Sequence, residues 1–124
     1  MKISVEHLTQ KYGEHVVFED VSFTTESGKV TALLGPNGSG KSTLIKTIAD
    51  ILPMKGGRIL VNDTDITTVS KAERAKMIGY VPQTVFLLDD TIRNNILFGI
   101  PESDHSEKKI WDALEKAQLK SLVE

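Results

Sequence analysis

Three observations predict an α/β fold. Residues Gly35-Pro36-Asn37-Gly38-Ser39-Gly40-Lys41-Ser42 fit the phosphate-loop template G-x-x-x-x-G-K-[ST] at every fixed position, and Thr43 follows directly. The apolar run Lys29-Val30-Thr31-Ala32-Leu33-Leu34 before it suits a buried strand. The stretch Ser42 to Ala49 after it suits a helix, with Leu44, Ile45 and Ile48 at helical spacing. A strand-rich stretch, Met1 to Gly28, precedes this unit, and helical patterns dominate after Gln83.

In chain order, Ile3 to Leu8 and Val16 to Thr25 read as strands joined by a turn at Lys11-Tyr12-Gly13-Glu14. Glu26-Ser27-Gly28-Lys29 is a second turn, leading into the strand before the glycine loop. The first helix should end before Pro53. Lys55-Gly56-Gly57 turns the chain into a short strand, Arg58 to Val61, and Asp63 to Asp65 turn it again. Ser70-Lys71-Ala72-Glu73 fits a capping box that opens a helix through Lys76. Ile78 to Val81 reads as a strand broken by Pro82. Thr91 to Leu97 is a short helix and Asp104 to Leu119 a longer one, with Ile110, Leu114 and Ala117 on one face and Trp111 beside them as a core anchor.

Bulk properties narrow the function. The 124 residues suffice for one small domain, and 40% of them are hydrophobic. The net charge is −2 and the fifteen basic residues are scattered, so no nucleic-acid-binding stripe forms. The chain has no cysteine, hence no disulfide or thiolate metal site. No run approaches the roughly 20 apolar residues that span a bilayer, so a membrane role must come through a partner. His7, His15 and His105 lie far apart without ligand spacing and read as surface residues.

The glycine loop carries the chemistry. A triphosphate presents several negative charges on closely spaced oxygens, and holding it takes many donors in a small volume. Gly35, Gly38 and Gly40 let the backbone curl and aim N–H groups inward. The helix starting near Lys41 adds unpaired N–H groups and the positive end of its dipole. Lys41 reaches the β- and γ-phosphates as a mobile charge, Ser42 ligates Mg²⁺ through its hydroxyl, and Thr43 lies near the α-phosphate or caps the helix.

The antiparallel stretch ahead of the loop, and the lack of an Asn-Lys-x-Asp guanine-reading run, separate this chain from small kinases and GTPases. It resembles the amino-terminal half of an ATP-binding cassette (ABC) nucleotide-binding domain. That resemblance implies an incomplete P-loop NTPase core (29–83), an amino-terminal antiparallel β subdomain (1–28) and the start of an α-helical subdomain (84–124). It implies that Tyr12, in Lys-Tyr-Gly-Glu, stacks on adenine, and that Pro36, Asn37 and Ser39 join the phosphate cradle. Ile78-Gly79-Tyr80-Val81-Pro82-Gln83 is similar to the family's Q-loop, whose glutamine contacts Mg²⁺ or the attacking water and couples to the transport partner. Gln83 takes that role by resemblance.

Val85-Phe86-Leu87-Leu88-Asp89-Asp90 looks like an apolar strand ending in Mg²⁺-binding acids, but in the family that segment follows the signature sequence, and here the run directly follows the Q-loop match. Thr91 to Gly99 is similar to exporter-type cassettes. There Phe86, Leu87 and Leu88 would lie near a coupling groove, partly exposed, and core packing is the equally simple reading. No Leu-Ser-Gly-Gly-Gln signature, Walker B pair or switch histidine occurs up to Glu124, which reads as a fragment.

The resemblance implies that the chain is part of an ATPase subunit or domain that powers a transmembrane partner from the cytoplasmic side of a membrane. It pairs head-to-tail with a second ABC domain and uses ATP and Mg²⁺. By itself it should bind nucleotide weakly, hydrolyse it negligibly and be poorly soluble, because the resemblance implies a Walker B strand beside Val30 to Leu34 that this sequence does not contain. The competing class is a soluble cassette acting on ribosomes or DNA. Transport direction stays open: Ser70 to Gln83 resembles metal-chelate importers and Thr91 to Gly99 resembles exporters, with the exporter preferred.

Overall fold

A computed structural model describes all 124 residues. The chain divides into two compact units, Met1–Val81 and Pro82–Glu124.

The first unit is built on an antiparallel sheet. Strands β1 (Ile3–Tyr12) and β2 (His15–Thr24) form a hairpin, and β3 (Gly56–Val61) and β4 (Thr64–Asp65) extend it in the order β2-β1-β3-β4. The sheet therefore takes in the middle of the chain as well as its start. Inward positions of β1 and β3 carry Val5, Leu8, Ile59 and Val61, all essentially inaccessible to solvent. Against them pack Leu44 and Ile48 of helix α1 (Lys41–Ile48) and Ile66 from the turn after β4. Leu44 and Ile48 are four residues apart, so one helix face meets the sheet. Helix α2 (Lys71–Met77) starts at the expected capping box. The Ser70 hydroxyl accepts from the Glu73 N–H, and the Glu73 carboxylate accepts from the Ser70 N–H at 3.0 Å.

Two expected strands do not form. Residues 29–36 and 78–82 belong to no sheet, and Val30 and Leu34 are 98% and 89% exposed. A helix closes its hydrogen bonds within its own segment, whereas a strand needs a neighbour. The sheet holds four strands, and none of them runs beside either segment. An apolar cavity of about 490 Å³, lined by Ile3, Phe23, Leu33, Ile45 and Ile48 among others, lies along the first of these runs.

The second unit contains α3 (Ile92–Ile96), α4 (Glu107–Lys116) and α5 (Lys120–Val123) around a small core of Leu97, Ile110 and Leu114. Trp111 is exposed rather than a core anchor, because one residue on from Ile110 it is turned about 100° from the buried stripe. Ala117 falls at the C-cap of α4 and is also exposed. Val85, Phe86 and Leu87 form no strand and face solvent. Asp90 is engaged locally, accepting from the Thr91 N–H at 2.6 Å and from Asn94 Nδ2 at 2.8 Å. The Asn95 amide accepts from the Leu88 N–H and donates to the Leu88 and Thr91 carbonyls, tying this loop to α3. No helix is long and apolar enough to cross a membrane.

Candidate functional site

The loop Gly35 to Gly40 ends on helix α1. Gly38 and Gly40 have φ of +80° and +89°, a left-handed backbone that costs any other L-residue about 1–2 kcal/mol. This reversal turns the chain at the helix start. The first intrahelical bond runs from the Leu44 N–H to the Gly40 carbonyl at 2.9 Å. The N–H groups of Lys41, Ser42 and Thr43 therefore have no helical acceptor. No side chain caps this end and its first turn holds no acidic residue. The geometry is a cluster of outward-pointing donors at the positive end of a helix dipole, the arrangement that suits an anion.

Lys41 folds back across the loop. Its Nζ donates to the Gly35 carbonyl at 2.5 Å and the Pro36 carbonyl at 2.7 Å. Ser39 Oγ also donates to Pro36 O, at 2.7 Å, and the Ser39 N–H reaches the same carbonyl, closing a turn with Asn37 and Gly38 at its tip. The ammonium is held by neutral acceptors. Phosphate oxygens are stronger ones, because they carry negative charge and attract the ammonium by direct ion–ion interaction as well as by hydrogen bonding. Ser42 is exposed, with its hydroxyl in no hydrogen bond to the protein, and Thr43 is half-buried. An open cleft of about 230 Å³ lies against Lys41 and Ser42, walled by Leu33, Ile45, Tyr80 and Val81.

Tyr12 ends strand β1, pairs with His15 across the hairpin turn and is 54% exposed, so its ring is available as a stacking platform. Gln83 lies in an exposed bend at the start of the second unit. The first unit thus holds Tyr12 and the whole of Gly35 to Thr43, and the second holds Gln83. His7 Nδ1 lies 2.6 Å from Asp20 Oδ1 at the sheet surface, away from the loop residues in every hydrogen bond it makes.

Sequence reading passed over two contributors. Tyr80 lines the cleft beside Lys41 and Ser42; an apparent strand position hid it. Gln10 is buried against α1. Its signal is weak, since the first strand reads as ending at Leu8 and β1 in fact continues to Tyr12, which puts Gln10 on the inward face.

The family profile described as "ABC transporter" matches residues 18–124. The mycobactin import ATP-binding/permease protein IrtB of Mycolicibacterium thermoresistibile is 37% identical over 113 residues, covering 91% of this chain and 19% of that protein. The mitochondrial iron-sulfur clusters transporter ATM1 of Candida glabrata is 38% identical over 123 residues, covering 98% of this chain and 17% of that one. The solved structure of a bacterial Atm1-family ABC exporter with ATP bound superposes with a TM-score of 0.83 at 27% identity, over 98% of this chain and 21% of that chain. The chain therefore spans about a fifth of the length of the relatives it matches. With its glycine loop inside the matched region, the chain belongs to the ATP-binding cassette (ABC) transporter family.

Proposed function

We propose that this chain is the nucleotide-gripping part of an ABC transporter ATPase, acting from the cytoplasmic face through a transmembrane partner and a second, head-to-tail ABC domain. The observation that carries the reading is the donor cluster at the start of α1: the Lys41, Ser42 and Thr43 N–H groups have no helical acceptor, and the Lys41 ammonium beside them rests on two neutral carbonyls. Backbone donors and the helix end fix the phosphate chain, Lys41 exchanges its two carbonyl partners for phosphate oxygens, and Tyr12 stacks on adenine. The Ser42 hydroxyl would hold Mg²⁺, which neutralises phosphate charge when bound, and Gln83 takes the coupling role by family resemblance.

The relatives reported above bear transporter names, one of them an import ATP-binding/permease protein. That supports the membrane reading over a soluble cassette on ribosomes or DNA. ATPase measured on the full-length protein purified with its membrane partner is the test. Lys41→Ala should lower turnover at least about tenfold, the loss of one charge-assisted contact. Gln83→Ala should mainly weaken stimulation by transported substrate. Full turnover in the Lys41 variant, or co-purification with ribosomes or DNA instead of a membrane protein, contradicts the proposal.

A further inference from the structure

A buried polar chain joins the strand that presents Tyr12 to the helix that presents the phosphate loop. Gln10 is 1% exposed and Thr47 is 2% exposed. Gln10 Nε2 donates to the Pro53 carbonyl at 3.0 Å and, more weakly, to Thr47 Oγ1 at 3.4 Å. Its Oε1 accepts from the Lys11 N–H at 3.2 Å. Thr47 Oγ1 in turn donates to the Thr43 carbonyl at 2.7 Å, one turn back in α1 and three residues after Gly40. Each member is satisfied on both sides, the condition under which a buried polar network fixes one arrangement rather than weakening the core.

The placement of this chain is what gives it a use. Gln10 stands two residues before Tyr12, and the β1–β2 pairing shifts register between Gln10 and Lys11. An irregularity there aims the end of the hairpin. On the other side of the hairpin, Val17 and Phe18 sit where a Cβ on Gly40 would lie 3.0 and 3.6 Å from them, so β2 abuts the last glycine of the loop. The hairpin thus meets the loop-helix unit twice, once through van der Waals contact at Gly40 and once through hydrogen bonds at Thr47. An apolar residue at position 10 would pack against α1 without fixing the distance along it.

We propose that Gln10 is a positioning residue for nucleotide binding: with Thr47 it sets the spacing between the Tyr12 ring and the Gly35–Thr43 loop, so that base and phosphates are engaged together. This deepens the nucleotide-binding reading above and rests on it. Neither side chain need touch the ligand. A group that merely stabilises the domain would affect all ligands of the loop alike. A spacing group affects only those that bridge ring and loop.

The test uses two probes on the full-length protein: Mg-ATP, which spans both parts, and Mg-tripolyphosphate, which occupies the loop alone. Gln10→Leu should weaken Mg-ATP binding by about fivefold to tenfold, part of the base-stacking contribution, while tripolyphosphate affinity changes less than about twofold. Thr47→Val, near-isosteric and retaining the packing, should give the same pattern, and it carries the test if Gln10→Leu does not fold. Equal losses on both probes, or no loss on either, overturn the spacing role. Wild-type protein that binds Mg-ATP no better than Lys41→Ala sinks the underlying nucleotide reading and this inference with it, an outcome visible before any Gln10 variant is made.

Discussion

At the scale of single residues, the glycine template was the most legible feature, because its function is written in backbone geometry that only glycine adopts cheaply. The structure adds which glycines matter for which reason. Gly40 combines a φ of +89° with Val17 Cγ1 at 3.0 Å from a would-be Cβ, whereas Gly35 has no positive φ and its would-be Cβ crowds Ser39 Oγ at 2.8 Å, a side-chain atom that can turn away by giving up its bond to Pro36. Gly40→Ala should therefore destabilise the fold by about 2 kcal/mol or more, and Gly35→Ala by distinctly less, in chemical denaturation. Tyr12 gives a complementary prediction. Tyr12→Ala should weaken Mg-ATP by about five- to hundredfold and Tyr12→Phe should not, since a stacked ring needs its face and not its hydroxyl. Gln10 was missed because a glutamine in a strand carries no motif; its role emerges only when β1, α1 and Pro53 are brought together.

At the scale of elements, the helices followed their local signals and two strands did not. Ser70 and Thr91 cap α2 and α3 with their own hydroxyls, which short-range spacing reveals. Residues 29–34 and 78–81 have strand-like composition, but pairing is non-local, and no amount of local reading supplies a partner. Gly57 is a further element-scale device. Its φ is +83°, and a Cβ there would lie 2.3 Å from the His7 carbonyl oxygen, where the β1–β3 register shifts. Gly57→Ala should cost several kcal/mol, because backbone atoms of the central strand would have to move. The capping box of α2 also makes a pH prediction. Bonds from the Ser70 hydroxyl and then the Ser70 N–H hold the Glu73 carboxyl below its ordinary value. Its folded-state value is depressed, so its contribution is present above the unfolded value of about 4.3 and is lost as pH falls through the lower folded value. Backbone amides of α2 should lose hydrogen-exchange protection below about pH 4, and Glu73→Gln should flatten that dependence.

At the scale of the whole molecule, the apolar run before the loop is the feature that local reading both anticipated and misassigned. Its composition predicts a strand and the family resemblance a missing neighbour; the run stands outside the sheet with Val30 and Leu34 facing solvent. Residues 1–124 expressed alone should bind a hydrophobic dye and melt broadly, and a sharp melt without dye binding would contradict that. The donors at the start of α1 do not share this weakness, because α1 is anchored on the sheet through Leu44 and Ile48. The decisive measurement is isothermal calorimetry of Mg-ATP on the full-length protein beside its Lys41→Ala variant. Saturable heat in the first, reduced at least about tenfold in affinity in the second, is what a phosphate-gripping loop requires; no heat in the first, or the same affinity in both, would show that Gly35 to Thr43 is not where the nucleotide is held.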